Sequence, residues 1–357
     1  MTIPTPHAPV PAPSREAARA AESRQRILTK PAGALGRLES ASVWMAAVQD
    51  TCPPHPFTAP RLVIFAGDHG IARASGTSAY PPEVTAQMVA NFVSGGAAAN
   101  VLARQFHAHV RVVDVSVDAE PDYLDEQDPR VAAHRIRRGS GAIDREDAMT
   151  LAECEAALDL GARIAGEEIE AGADVLIAGD MGIGNTAAAA AIIALLTDSD
   201  PHQITGRGTG VDDATLARKR AAVAAAVARA SADANDVARL LARISSPDIA
   251  AMVGFLSGAA RRSTPVILDG VVSCAAALAA GRLAPGASEW WCAGHLSAEP
   301  AAHVALIHLG LRPLIDLDLR LGEGTGALLA LPLLAGAAAT LAEMATFESA
   351  GVTDREH

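Results

Sequence analysis

The residues best placed to do chemistry sit in a glycine-rich loop near the end of the chain, Leu321-Gly322-Glu323-Gly324-Thr325-Gly326. Glycines on both sides of Glu323 let that backbone approach a ligand closely. Apolar neighbours (Leu319, Leu321, Ala327) place the carboxyl in surroundings that raise its pKa toward neutrality, which suits a general base. The competing reading is a carboxylate that caps the helix after it. Two further loops share the small-residue character: Gly179 to Thr186 and Gly206 to Gly210. Each exposes backbone N–H groups, and where such a loop runs into a helix the arrangement holds phosphate. Neither has the Lys of a P-loop nor the acidic partner of a dinucleotide fold, so tight turns at strand ends are the plain alternative.

A metal site is the rival chemistry. His295, Glu299 and His303 are spaced four apart, which on a continuous helix puts all three on one face. Asp68 and His69 could add ligands, giving a metal-dependent hydrolase. Against this, Pro300 interrupts the run and no H-E-x-x-H signature exists. Glu343 and Glu348 read as a solvated or interfacial helix face.

The elements that must position these loops follow from the apolar pattern. Short β-branched runs at 61–65, 110–117, 174–178, 265–268, 289–292 and 314–319 each end in small or acidic residues, and most lead into Ala-rich helix. Repeated strand–loop–helix units predict an α/β fold, a parallel sheet with helices on both faces. Ligands of such sheets bind beyond the carboxyl ends of the strands, where all these loops fall. Residues 1–14, rich in Pro and Ala, are expected to be a disordered lead-in. Residues 15–60 form an N-terminal helical segment, 61–330 the α/β catalytic domain, and 331–357 C-terminal helices.

Composition narrows the class. A net charge of −12 argues against a nucleic-acid partner, which needs a basic face to displace counterions. Four scattered cysteines with no C-x-x-C pair read as reduced thiols of a cytoplasmic protein. The N-terminus lacks the basic and apolar regions of a signal peptide. The most apolar stretch, 327–339, carries Pro332 and Gly336 and reads as a core helix and not a membrane span. Only 3% of residues are aromatic, so the core must be built from Ala, Val, Leu and Ile.

Together the loops resemble one family, the nicotinate-nucleotide:dimethylbenzimidazole phosphoribosyltransferases. The resemblance rests on KPAGALGRLE at 30–39, FAGDHG at 65–70, SAYPPEVTAQMVANFVSGGAAANVLA at 78–103 and GDMGIGNTAAAA at 179–190. It continues through GRGTGVDD at 206–213, LDGVVSCAAALAA at 268–280, GHLSAEPAAH at 294–303 and the segment 309–352 around RLGEGTGA. It implies phosphoribosyl transfer from nicotinate mononucleotide to 5,6-dimethylbenzimidazole in cobalamin nucleotide-loop assembly, by a homodimer with no cofactor, whose subunit has a Rossmann-like parallel sheet and a small helical domain built from both end segments. By resemblance Glu323 is the catalytic base, with Asp180 a second carboxylate one methylene shorter than the family's Glu. Gly182, Gly184, Asn185 and Thr186 would follow the ribose phosphate, with Gly208, Thr209 and Lys219 nearby. Asp269, Gly270, His295 and Ser297 would border the nucleotide. Tyr80, Gln87, Met181 and Leu321 would line the base slot. Tyr80 stands where the family carries a small hydroxyl residue, which opens the choice of base to benzimidazole or adenine. A relative that binds such a ligand without transferring it is the remaining alternative.

Overall fold

The computed structural model describes residues 9–120, 124 and 128–353. Its centre is a five-stranded parallel sheet: β1 (Pro60–Gly67), β2 (His109–Ser116), β3 (Val175–Met181), β4 (Val266–Leu268) and β5 (Trp291–Ala293), in the order β2-β1-β3-β4-β5. The order reverses between β1 and β3. Beyond the carboxyl ends of strands at such a switch point, chain leaving in opposite directions opens a crevice.

Alternate residues of each strand feed opposite cores. Val63, Phe65, Leu176, Ala178, Val266 and Leu268 pack into one, with the helices Leu151–Glu170, Pro247–Arg261 and Val271–Leu283. Leu62, Ile64, Val175, Ile177 and Ile267 pack into the other, against Arg37–Gln49, Ala98–Gln105 and Thr325–Glu343. Burial on both faces explains why these strands read as unbroken apolar runs. The helix Pro247–Arg261 is buried from Pro247 to Ala260, which small side chains permit.

The sequence reading differs from the structure at two strands. Glu289 and Trp290 belong to a 3₁₀ turn, Ala287–Trp290, and the strand starts only at Trp291. The last run, 314–319, gives just β7 (Ile315–Asp316), which pairs outside the main sheet with β6 (His295–Leu296). Asp316 and Asp318 are exposed and Asp318 has φ 55°, so the extended pattern cannot continue.

The helix Thr325–Glu343 runs 19 residues and is long and apolar enough to cross a membrane by length and composition alone. Its buried positions, Ala327, Leu328, Leu331, Leu334, Ala338 and Leu341, form a stripe that packs against the protein. The boundary expected at 330/331 falls inside this helix. The two chain ends meet around it: Ala17, Ala21, Leu28, Ala46 and Leu341 share a small core, and the Arg24 guanidinium donates to the carbonyls of Leu341 and Ala342 at 2.5 and 2.8 Å. Of the expected disordered lead-in, residues 1–8 lie outside the described residues. From residue 9 the chain is held, with Trp290 Nε1 donating to Pro11 O at 2.7 Å. Among the described residues no cysteine is disulfide-bonded. Burial pushes the thiols of Cys154, Cys274 and Cys292 up to about 12, which keeps them unreactive.

Candidate active site

The loops after β1, β3, β4 and β6 and the loop before Thr325 converge at the carboxyl edge of the sheet. A cavity of about 80 Å³ lies there, with Asp180, Met181, Asn185 and Thr186 on one side, Gly270 and Ser297 on another, and Arg320 to Gly322 on a third. An adjoining pocket of about 30 Å³ is bounded by Gly184, Thr186, Gly208, Thr209 and Lys219. A larger cavity of about 540 Å³ runs along edge strand β2, lined by Phe92, Val110, Arg111 and His134. None of the polar loops reaches it, and its Arg111 is tied up by Glu167 and Glu168 at 2.8 and 2.9 Å.

The smaller pocket has the make-up of an anion site. Lys219 is 1% exposed, and its ammonium donates to Thr186 Oγ1 at 2.8 Å. Burial lowers its pKa while the Glu299 carboxylate opposes the shift. The helix Asn185–Thr197 begins at this point and adds its N-terminal N–H groups and dipole. Close packing keeps the loop narrow: a Cβ on Gly182 would lie 2.1 Å from Gly67 O, so only glycine fits.

Of the carboxyl groups on the other side, Asp180 lines the cavity, while Glu323 does not and only its neighbour Gly322 does. Asp180, next to last in β3, is 5% exposed and accepts from Asn185 Nδ2 at 2.6 Å. Burial pushes its pKa well above the carboxylate range, and the charges of Asp269, Asp248 and Glu323 push the same way. Glu323 is 4% exposed, at φ 64° between Gly322 and Gly324 at 82° and 83°. Three consecutive left-handed residues are a strained way to leave a sheet. For a Glu that strain costs about 1 kcal/mol or more, and such conformations cluster at functional sites. Burial raises the Glu323 pKa to about 7, a backbone hydrogen bond from Ala99 opposes the rise, and the Asp269 charge adds to it. Its Oε2 is buried with no hydrogen-bond partner.

Asp269 does something the sequence did not suggest. It is 1% exposed and reaches the N-terminus of the helix Thr325–Glu343, accepting from Gly324, Gly326 and Ala327 N–H at 3.1, 2.7 and 3.0 Å. Thus Asp269 caps that helix, and Glu323 is free of the role. His295 lies beside it, Nε2 3.6 Å from Asp269 Oδ1, both ring nitrogens buried without a hydrogen bond. Neither Asp269 nor His295 lines the cavity, whereas Gly270 and Ser297 do.

Of the four base-slot residues, Met181 and Leu321 line the cavity. Tyr80 is 53% exposed and Gln87 is also exposed, and neither borders the two pockets. The metal reading fails on geometry. Pro300 starts a helix, Pro300–Leu309, with Glu299 at its N-cap, so His295 precedes it in β6 and His303 faces solvent. Among the described residues no three His, Cys, Asp or Glu side chains are grouped as a metal site. Glu299 instead accepts from Gly208 N–H at 2.7 Å. Arg320, which sequence reasoning passed over, lines the cavity and donates to Gly208 O at 3.1 Å. Its signal was a lone cation directly before the glycine loop.

Comparison with known proteins agrees with this geometry. Residues 10–352 match the phosphoribosyltransferase family DBI_PRT. The chain is 57% identical over 342 residues to the nicotinate-nucleotide–dimethylbenzimidazole phosphoribosyltransferase of Mycolicibacterium paratuberculosis, covering 96% of each protein. It is 57% identical over 348 residues to that of Mycobacterium tuberculosis, covering 98% of this chain and 95% of the relative. The crystal structure of CobT from Thermus thermophilus superposes with a TM-score of 0.88 at 44% identity, over 95% of this chain and 100% of that one. The chain therefore belongs to the nicotinate-nucleotide–dimethylbenzimidazole phosphoribosyltransferase family.

Proposed function

We propose that the protein transfers the phosphoribosyl group of nicotinate mononucleotide to 5,6-dimethylbenzimidazole, giving α-ribazole 5′-phosphate and nicotinate. The observation that carries the reading is Glu323: a buried carboxyl whose pKa is raised to about 7, with one oxygen unpartnered, directly after Gly322 in the cavity wall. One benzimidazole nitrogen attacks C1′ as the bond from C1′ to the pyridinium nitrogen breaks. The bonding pair returns to the pyridine ring, which leaves neutral and needs no acid. The proton on the other benzimidazole nitrogen passes to Glu323. Attack from the face opposite nicotinate inverts C1′, and alignment of the two rings supplies much of the acceleration.

In this reading Lys219, Thr186 and the loop N–H groups hold the phosphate. Asp180, kept protonated by burial, offers a hydrogen bond to the nucleotide without adding charge. The protein acts as a cytoplasmic homodimer, and the helices at its chain ends form a small domain, a grouping supported by the bonds of Arg24 to Leu341 and Ala342. The test is product analysis by mass with nicotinate mononucleotide and a panel of azoles and purines. Release of nicotinate with formation of an α-linked nucleotide is expected; no release with any base overturns the reading. Because the base must be ionised, kcat/KM should rise with pH through about 7 and level off above it.

A further inference from the structure

One buried hydroxyl joins the helix Val84–Val93 to the loop Gly182-Ile183-Gly184, which borders both pockets. Thr85 lies in the first turn of the helix Val84–Val93, five residues after Tyr80 and two before Gln87, and is 0% exposed. Its Oγ1 accepts the N–H of Ile183, the middle residue of Gly182-Ile183-Gly184, at 3.1 Å. The same oxygen donates to Asp68 Oδ1 at 2.7 Å. Asp68 is fixed in turn by Asp118 N–H on Oδ2 at 2.8 Å. On the other side of its residue, Ile183 O accepts from His69 N–H at 3.3 Å. Both polar backbone groups of Ile183 are thus tied, one to the loop after β1 and one to the helix that follows Tyr80.

We propose that Thr85, backed by Asp68, is a positioning residue that sets the register of the base-side helix against the nucleotide loop. Thr85 touches no reacting atom. It acts through Ile183, whose placement fixes where the flanking Gly182 and Gly184 present their backbone to the phosphoribosyl group. A hydroxyl is required because it alone can accept from Ile183 and donate to Asp68 at once. Valine has the shape and neither capacity, and it would leave a buried N–H unpaired. Serine has both capacities. The assignment rests on the phosphoribosyl-transfer reading for its kinetic consequence and on geometry alone for its structural one.

The test compares Thr85→Val with Thr85→Ser. Thr85→Val should raise KM for nicotinate mononucleotide about 10-fold, the scale of one unmade buried hydrogen bond. It should also raise KM for the base and speed hydrogen exchange in the peptide spanning Ile183. Thr85→Ser should stay near wild type in all three. Asp68→Asn, which keeps Thr85 in place, should give a smaller change in the same direction and serves if Thr85→Val fails to fold. A lower melting temperature with both KM values unchanged would reduce Thr85 to a packing residue and overturn the proposal. Equal impairment of Thr85→Ser would overturn it as well, by assigning the effect to the methyl group. If the wild-type protein releases no nicotinate, the reaction reading falls, yet the exchange comparison still decides: unaltered exchange at Ile183 in Thr85→Val sinks the relay.

Discussion

The nucleotide end and the base end of the site are built differently. At the first, Lys219 is 1% exposed, tied to Thr186, and enclosed by loops so tight that a methyl group would collide with backbone. At the second, where the family resemblance expects the base, Tyr80 and Leu321 are 53% and 55% exposed, and Gln87 also stands in solvent. The anion seat is preorganised before any ligand arrives, so binding there loses little to reorganisation. The base end has neither buried donors nor closed walls in the single chain. Under the proposed reaction the nucleotide is selected strictly and the base loosely.

Three substitutions would break or sharpen that contrast. The largest effect is expected from Glu323→Gln, which removes the base while leaving the anion seat intact. Turnover should fall about 1,000-fold, with KM for nicotinate mononucleotide little changed, measured by steady-state kinetics. An equal loss in KM would mean that Glu323 belongs to the nucleotide end instead. The same variant changes stability with a defined sign. The folded Glu323 pKa, about 7, lies above the ordinary 4.5. Its contribution to stability is therefore fully present below pH 4.5 and lost as pH rises through 7. The loss is bounded at about 3 kcal/mol. Glu323→Gln lacks this slope, so chemical denaturation at pH 5 and pH 8.5 should show a smaller drop than in wild type.

Next in size, Lys219→Met should raise KM for nicotinate mononucleotide about 100-fold, since truncating a buried, hydrogen-bonded cation leaves Glu299 uncompensated. The KM for the base should move far less; parallel changes in both would erase the contrast. Smallest is Tyr80→Ser at the open end. Here kcat/KM should shift by about 3-fold or less for any one base, with the order of preference among azoles and purines changing more than the rates. A large loss for every base would show that the slot is closed in the working enzyme.

Legibility in the sequence followed the range of the interactions. Strands β1 to β4 were readable because burial on both faces writes itself as a local apolar run. The glycine loops were readable because positive φ and close approach demand glycine where they occur. Glu323 stood out for its glycine neighbours, yet whether it was base or cap depended on Asp269, far back along the chain. Asp269 itself looked like a pocket residue, because nothing near it announces the helix N-terminus it meets. The His295, Glu299 and His303 spacing misled because Pro300 begins the helix instead of interrupting it. Thr85 is one threonine in an unremarkable helix. Only the fold brings Ile183 to its hydroxyl.

The helix Thr325–Glu343 also has a mechanical meaning. Its start carries the Glu323 turn, held by Asp269, and about 28 Å farther on its other end is gripped by Arg24 of the first helix. It is a lever with Glu323 at one tip and the first helix of the chain at the other. Under the proposed reaction, loosening that far end by Arg24→Ala should therefore mark turnover before it marks ligand affinity.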